Sequence, residues 1–326
     1  MRKIFVYALA IILIFTFSFS LASCDKTSDE LQKALKQGNY ELVFEDNFDG
    51  DSLDTSKWKA GYDGENHVRR AAYVETTPDT LFVKDGTLTI RTHYKTDGQY
   101  GEGWYTSWVE SATNPNKGHV AAMQENYEGF SAKYGYFEAR CIAPPCEGIW
   151  SAFWLMPDEG TGMTSEDVMG TGTDGVEIDI MESPWYYSGF FNRNSNMHVL
   201  HGDGYANTKS QKSDSIRVSN MYSEFHTYGV MWTPEEYVFY IDGKETWRTP
   251  HIVDDVTLGV SQVKQYMLLT VEVGGYMDED GNLHPGKVLN ADGTESEYWC
   301  GDASRNDKNK NYDFIIDYVR VYQVKE

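Results

Sequence analysis

Between residues 40 and 324 the apolar residues come in short runs, each cut off by a turn signal, and no long amphipathic helix interrupts them. Thr87 to Arg91 alternates after Asp85-Gly86, and Tyr134–Ile142, Trp150–Met156, Val176–Met181 and Asn196–Leu200 read as further strands. Phe225–Trp232 and Tyr237–Ile241 flank Thr-Pro-Glu-Glu. Asp242-Gly243 then turns the chain into Lys244–Arg248, and Gln265–Val273 and Phe314–Val324 complete the series. Many short strands separated by turns predict an all-β sandwich, jelly roll or barrel. No period of about 20–50 residues recurs, which disfavours a propeller or solenoid. Two stretches break the rhythm: Thr92–Glu128, rich in Gly, Tyr and Trp, and Asp158–Asp174, rich in Gly and acid. Loops of that length commonly form cleft walls or lids.

The first residues read as an address. Arg2 and Lys3 precede an apolar run, Ile4 to Leu21, that ends in Leu21-Ala22-Ser23-Cys24. A basic start, an apolar segment and small residues before a cut site describe an export signal. Cys directly after Leu-Ala-Ser resembles a bacterial lipoprotein box, with Cys24 lipidated as the mature N-terminus. An uncleaved membrane anchor is the other reading, because the run is nearly long enough to span a bilayer. The expected division is a signal over 1–23, a tether over 24–39 and one domain over 40–326. In the tether, Leu31, Ala34 and Leu35 have helical spacing, and Thr27 to Glu30 can cap a short helix that spaces the domain from the membrane. The expected location is outside the cytoplasm on a lipid anchor.

Charge narrows the partners. With 28 Lys+Arg against 50 Asp+Glu, the net charge of −22 excludes a nucleic-acid binder, which needs clustered cations. The 9 Trp, 23 Tyr and 15 Phe offer flat faces, and a polysaccharide is the partner that such faces suit. A monomer is expected. Beyond Cys24, three cysteines remain, Cys141, Cys146 and Cys300; they allow one internal bridge and have no zinc spacing.

The chemistry lies in Gly175-Val176-Glu177-Ile178-Asp179-Ile180-Met181-Glu182-Ser183-Pro184-Trp185. On a regular strand Glu177 and Asp179 share one face, with Val176, Ile178 and Ile180 on the other. Glu182 lies five positions from Glu177, an odd interval that would bury it. A bulge near Ile180-Met181 absorbs one residue and returns Glu182 to the face of the other acids. Packed carboxylates repel, one pKa rises, and a general acid for neutral pH results. Two Glu side chains leaning together over about four strand steps can reach the roughly 5–5.5 Å spacing of a retaining glycosidase. A solvated row of ordinary surface acids is the plainer alternative.

Glu-Ile-Asp-Ile-Met-Glu resembles the signature of glycoside hydrolase family 16 in its bulged, laminarinase-type form. Further motifs are similar to that family in order: LVFEDNFD from Leu42, YGYFEAR from Tyr134, GIWSAFWLMP from Gly148, FHTY from Phe225, FYIDG from Phe239 and DYVRVYQ from Asp317. The resemblance covers residues 40–324 and implies a concanavalin A-like β-jelly roll of two antiparallel sheets, with a sugar cleft on the concave face. It implies an endo-acting retaining hydrolase of β-1,3- or mixed β-1,3/1,4-glucan, with Glu177 as nucleophile, Glu182 as acid/base and Asp179 tuning the pair. Trp150, Trp154 and Trp185 are the expected sugar platforms. His201, with His198 as fallback, Glu272, Arg69 (with Arg70) and Trp104 are expected substrate contacts. Tyr100, Tyr105 and Trp108 join Trp104 as either a distal sugar wall or a packed loop. No cofactor or metal enters the implied chemistry. A structural Ca²⁺ away from the cleft is implied near Glu45, Gly86 and Asp317. Galactan hydrolysis, transglycosylation and glycan binding without catalysis are the alternatives on the same fold. The acidity weighs against sulfated or uronic substrates, which would need a local Arg or Lys cluster, and no such run is visible.

Overall fold

Two large sheets carry most of the chain in the computed structural model, which describes residues 29–64, 67–115, 118–120, 126–159, 171–184, 194–202 and 209–325. The first sheet has nine strands. Its path runs from Ser210–Lys212 through Ser195–His201, Glu177–Pro184, Ile149–Pro157, Gln265–Val273 and Trp108–Glu110 to Lys59–Ala60. The second has eleven, with Lys244–Thr249, Tyr237–Ile241, His226–Trp232, Gly135–Ile142, Tyr312–Val324 and Thr87–Lys95 leading to Gly103–Thr106, Ala72–Val74 and Val68–Arg69. Among the described residues the strands pair antiparallel apart from Ala72–Val74 with Gly103–Thr106, and one isolated bridge, Arg70 to Val273, is also parallel. This is the expected jelly-roll sandwich, and Gln265–Val273 falls where the sequence predicts it.

The alternation of each strand divides its side chains between two apolar layers. Phe137, Phe153, Ile178, Leu200, Val230, Phe239, Leu269 and Val319 fill the space between the sheets. On the open face of the first sheet, Trp108, Trp150, Ala152, Trp154, Tyr266 and Leu268 form a second, smaller cluster. That second layer is the cleft floor.

Two expectations need correction. Thr92–Glu128 is not a loop throughout: one strand continues to Lys95, and Gly103–Thr106 and Trp108–Glu110 are strands. Because Gly103–Thr106 pairs with Thr87–Lys95, Trp104 belongs to the second sheet and packs between Tyr94 (5.4 Å) and Tyr312 (5.9 Å) in the core. It is 1% exposed and does not line the cleft. Second, the helix Asp29–Gln37 forms as expected but is no free spacer, since Leu31 and Leu35 are buried against Tyr136 of the second sheet. The export signal, Cys24 and the capping residues Thr27 and Ser28 lie outside the described residues. Among those described, no helix is long and apolar enough to cross a membrane.

The residues implied for a structural calcium also make contacts within the protein. The Glu45 carbonyl accepts Lys57 Nζ at 2.9 Å, and Asp317 is paired with Arg140. Protein cations thus already meet the Glu45 carbonyl and one Asp317 oxygen, and Gly86 sits in a half-buried turn with φ of 75°. Cys141, Cys146 and Cys300 are buried free thiols, and burial pushes all three above the ordinary thiol range.

Candidate active site

The acidic strand Glu177–Pro184 lies between Ile149–Pro157 and Ser195–His201, and both registers slip at the same point. On one side Phe153 faces Met181 while Trp154 faces Asp179, so Ile180 is the extra residue. On the other, Asp179 faces Val199 and Glu182 faces Met197. The bulge therefore sits where the odd spacing of the acids puts it. Ile178, Ile180 and Met181 all point into the core, and Glu177, Asp179 and Glu182 line a cleft of about 680 Å³ on the other face.

His198 holds the bulge. It is fully buried on the inward face of its strand, and its Nδ1 lies 2.7 Å from the Ile180 carbonyl. A carbonyl only accepts, so Nδ1 carries the proton. Inward-facing His198 is thus no sugar ligand. The fallback role is excluded by strand parity, which brings His201 to the cleft instead, opposite Glu177 and with Nε2 3.7 Å from Asp179 Oδ2.

Trp150 and Trp154 stand in the cleft wall. The Trp154 indole N–H donates to Thr270 Oγ1 at 2.9 Å, which fixes its ring. Trp108 is buried edge-on beneath it at 5.7 Å, and Tyr105 is buried too, so the packed-loop reading holds for that segment. Trp185 lies outside the described residues. Glu272 lines the cleft as expected, and so do Arg69 and Arg70: Arg69 Nε donates to Glu272 Oε1 at 2.7 Å, and Arg70 Nε to Oε2. Arg70 also lies over the rings of Trp150 (5.0 Å) and Tyr298 (5.9 Å). A parallel bridge between Arg70 and Val273 brings the arginines to this end of the sheet.

Two aromatic residues in the wall escaped the sequence reading. Trp299, 46% exposed, packs 4.9 Å from Trp150, with Tyr298 stacked at 6.2 Å. They follow the small hairpins at residues 275–297, and nothing in Glu-Tyr-Trp-Cys points to a cleft.

A family model described as "Beta-porphyranase A-D, GH16 domain" matches residues 42–324. The chain belongs to glycoside hydrolase family 16. The Beta-glucanase of Rhodothermus marinus is 30% identical over 224 residues, 66% of this chain and 68% of its own length. Endo-1,3-1,4-beta-glycanase ExsH of Rhizobium meliloti is 32% identical over 159 residues, 48% of this chain but only 28% of that longer protein. Among solved structures, SCLam, a non-specific endo-beta-1,3(4)-glucanase, superposes with a TM-score of 0.62 at 21% identity, over 88% of this chain and 92% of that one. This likeness bears on the fold.

Electrostatics divides the acids of this family 16 site. Burial and then its neighbour Glu177 push Asp179 well above the ordinary carboxylate range. Burial and Glu182 raise Glu177 to about 8; burial and Glu272 raise Glu182 to about 7. Three adjacent anions repel too strongly to coexist, so the first proton stays on Asp179 and the rest is shared between the glutamates. Arg69 and Arg70 both lower Glu177 and Arg70 lowers Glu182, but Glu177 remains the higher of the two glutamates, which titrate as a pair sharing the remaining proton. Glu272 itself is ionised: burial raises it, but the two arginines outweigh burial. Glu177, Asp179 and His201 also offer ligand atoms within 4.8 Å of one another, the one such trio found among the described residues. It takes two of its three members from the acidic row.

The Glu272 charge raises Glu182, so Glu272→Gln has a predictable sign. Losing that anion, and freeing the arginines it neutralises, lowers the pKa of Glu182. The alkaline limb of the kcat/KM profile, where the acid loses its proton, moves to lower pH. A limb that stays in place or moves to higher pH would contradict the arrangement.

Proposed function

We propose that this chain is an endo-acting retaining hydrolase of β-linked glucan, with β-1,3 or mixed β-1,3/1,4 linkages as substrate. The observation that carries the reading is the bulge that returns Glu182 to the face of Glu177, in an open cleft walled by Trp150, Trp154 and Trp299. Ionised Glu177 attacks the anomeric carbon as Glu182 gives its proton to the departing glycosidic oxygen. Glu182, now a base, takes a proton from water, which attacks the same carbon and releases Glu177. Protonated Asp179 holds Glu177 in place without adding charge. Pyranose C–H faces stack on the indoles while sugar hydroxyls meet the arginines and Glu272.

The relatives named as glucanases support glucan. A second reading, a β-galactan, rests on the porphyranase description of the family model. Product analysis on laminarin, lichenan, barley glucan, agarose, porphyran and κ-carrageenan decides between them. Oligosaccharides of retained β-configuration from the first three support glucan, and release from the galactans alone overturns it.

Membrane attachment through Cys24 is the second part of the proposal. Its support is the position of Cys24 after Leu-Ala-Ser, ahead of the helix docked on the domain. Cys24→Ser should move the protein from the membrane fraction to the soluble or precursor pool, because acyl chains supply the anchoring. Unchanged fractionation would favour an uncleaved anchor.

A further inference from the structure

Glu182 is aimed by its own short stretch of backbone, and the neighbouring strand grips that stretch on both sides. Before Glu182, the carbonyl of Ile180, the residue skipped by both registers, accepts the His198 Nδ1–H at 2.7 Å. After Glu182, the Ser183 hydroxyl lies 3.2 Å from Asn196 Oδ1 and donates to it. His198 and Asn196 are both fully buried. A bulge leaves its extra residue without ladder partners, and an unpaired buried carbonyl is costly, so the imidazole supplies the bond that the ladder cannot.

The imidazole is in turn held from the opposite sheet. With the proton on Nδ1, Nε2 is an acceptor for the Thr246 hydroxyl, which lies 2.9 Å from it and 3.2 Å from its other acceptor, the Phe239 carbonyl. Thr246 belongs to Lys244–Thr249, the edge strand of the second sheet. The ring stacks on Phe239 at 4.6 Å and lies parallel to Trp247 at 6.5 Å. Burial lowers its pKa to about 4, so it is neutral near pH 7, with the Ile180 carbonyl fixing the tautomer. Glu177, Asp179, Glu182 and His201 line the cleft on the other face of the sheet.

We propose that His198 is a positioning residue for the acid/base: held by Thr246 of the opposite sheet, it fixes the bulge at Ile180 and so sets the aim of the Glu182 carboxyl. It touches no substrate. The inference rests on the hydrolase reading for its rate effects, but not for its structural one.

The test compares His198→Phe, which keeps the ring and its stacking but loses both hydrogen bonds, with His198→Asn, whose side-chain amide can still donate near the Nδ1 position. Each is assayed on the glycan that wild type cleaves fastest and on an aryl glycoside of the same sugar, whose leaving group needs little protonation. A misaimed acid predicts that His198→Phe loses about 10²-fold in kcat on the glycan, with KM nearly unchanged. It should lose only a few-fold in glycosylation of the enzyme by the aryl glycoside, and His198→Asn should recover part of the loss. Thr246→Val should act in the same direction, more weakly. Equal losses on both substrates, or no loss in His198→Phe, overturn the proposal. If wild type cleaves no glycan, it is the hydrolase reading that fails. The crystal structure of His198→Phe then decides the positioning role alone: a displaced Ile180 carbonyl and Glu182 support it, and a bulge in its wild-type place overturns it. Should His198→Phe not fold, Thr246→Val carries the same measurements.

Discussion

Glu177→Gln should abolish turnover, by on the order of 10⁴- to 10⁶-fold, while leaving glycan binding intact. The amide keeps the shape and polarity of the carboxyl but cannot attack carbon, so no covalent glycosyl-enzyme forms. Wild-type-like activity would remove Glu177 from the nucleophile role. The same variant should be more stable than wild type at alkaline pH. Burial and Glu182 raise Glu177 from an ordinary 4.5 to about 8, so the folded state binds this proton more tightly than the unfolded state does. Wild-type stability on this account is intact below about pH 4.5 and is lost progressively as pH rises to about 8. Gln carries no such penalty. Its advantage should grow between pH 5 and pH 9, and thermal melts across that range would read it. A gap in melting temperature that does not widen with pH would show that Glu177 is not strained by its neighbours.

That trade, stability given up for a reactive row of acids, was legible in the sequence because it violates a local rule. Glu177 and Asp179 obey strand alternation and Glu182 breaks it; only a bulge reconciles an apolar inner face with three acids outside. The grip on the bulge was not legible. His198 reaches Ile180 across 18 positions of sequence and Thr246 across 48, and a His inside Asn-Met-His-Val-Leu-His looks equally able to face core or cleft until the register is known. The arginine clamp is more remote still: Arg70 and Glu272 are 202 residues apart. Arg69 and Arg70 carry a bland reading as surface cations unless the Arg70–Val273 bridge is seen. Trp104 failed for the opposite reason. Its segment has the Gly-Tyr-Trp composition of a binding loop, but the same aromatics fill a core when the segment joins a sheet. Composition told what those residues can do, and only pairing told which side they face.

Deleting Met181 tests the bulge at its root. The deletion gives Glu-Ile-Asp-Ile-Glu, which a regular strand can present with all three acids on the cleft face. The alternation survives, so the strand need not be lost. Two things change together. Met181 is fully buried beside Ile180, and with it gone Ile180 must take the place opposite Phe153. One of two core side chains disappears, at a cost of about 2–5 kcal/mol if the gap does not close. Glu182 also moves, because the Ile180 carbonyl leaves the His198 Nδ1–H and the local twist of the bulge relaxes. A shift of about 1 Å in a reacting group can cost on the order of 10²-fold in rate. The expected variant is folded, melts at lower temperature than wild type, and keeps measurable but much reduced activity. Adding His198→Phe to it should then cost little further rate, since the bond that His198 makes is already gone. A deletion variant with full activity would show that the bulge is irrelevant to the aim of Glu182. A double variant that loses a further 10²-fold would show that His198 acts elsewhere than on the bulge.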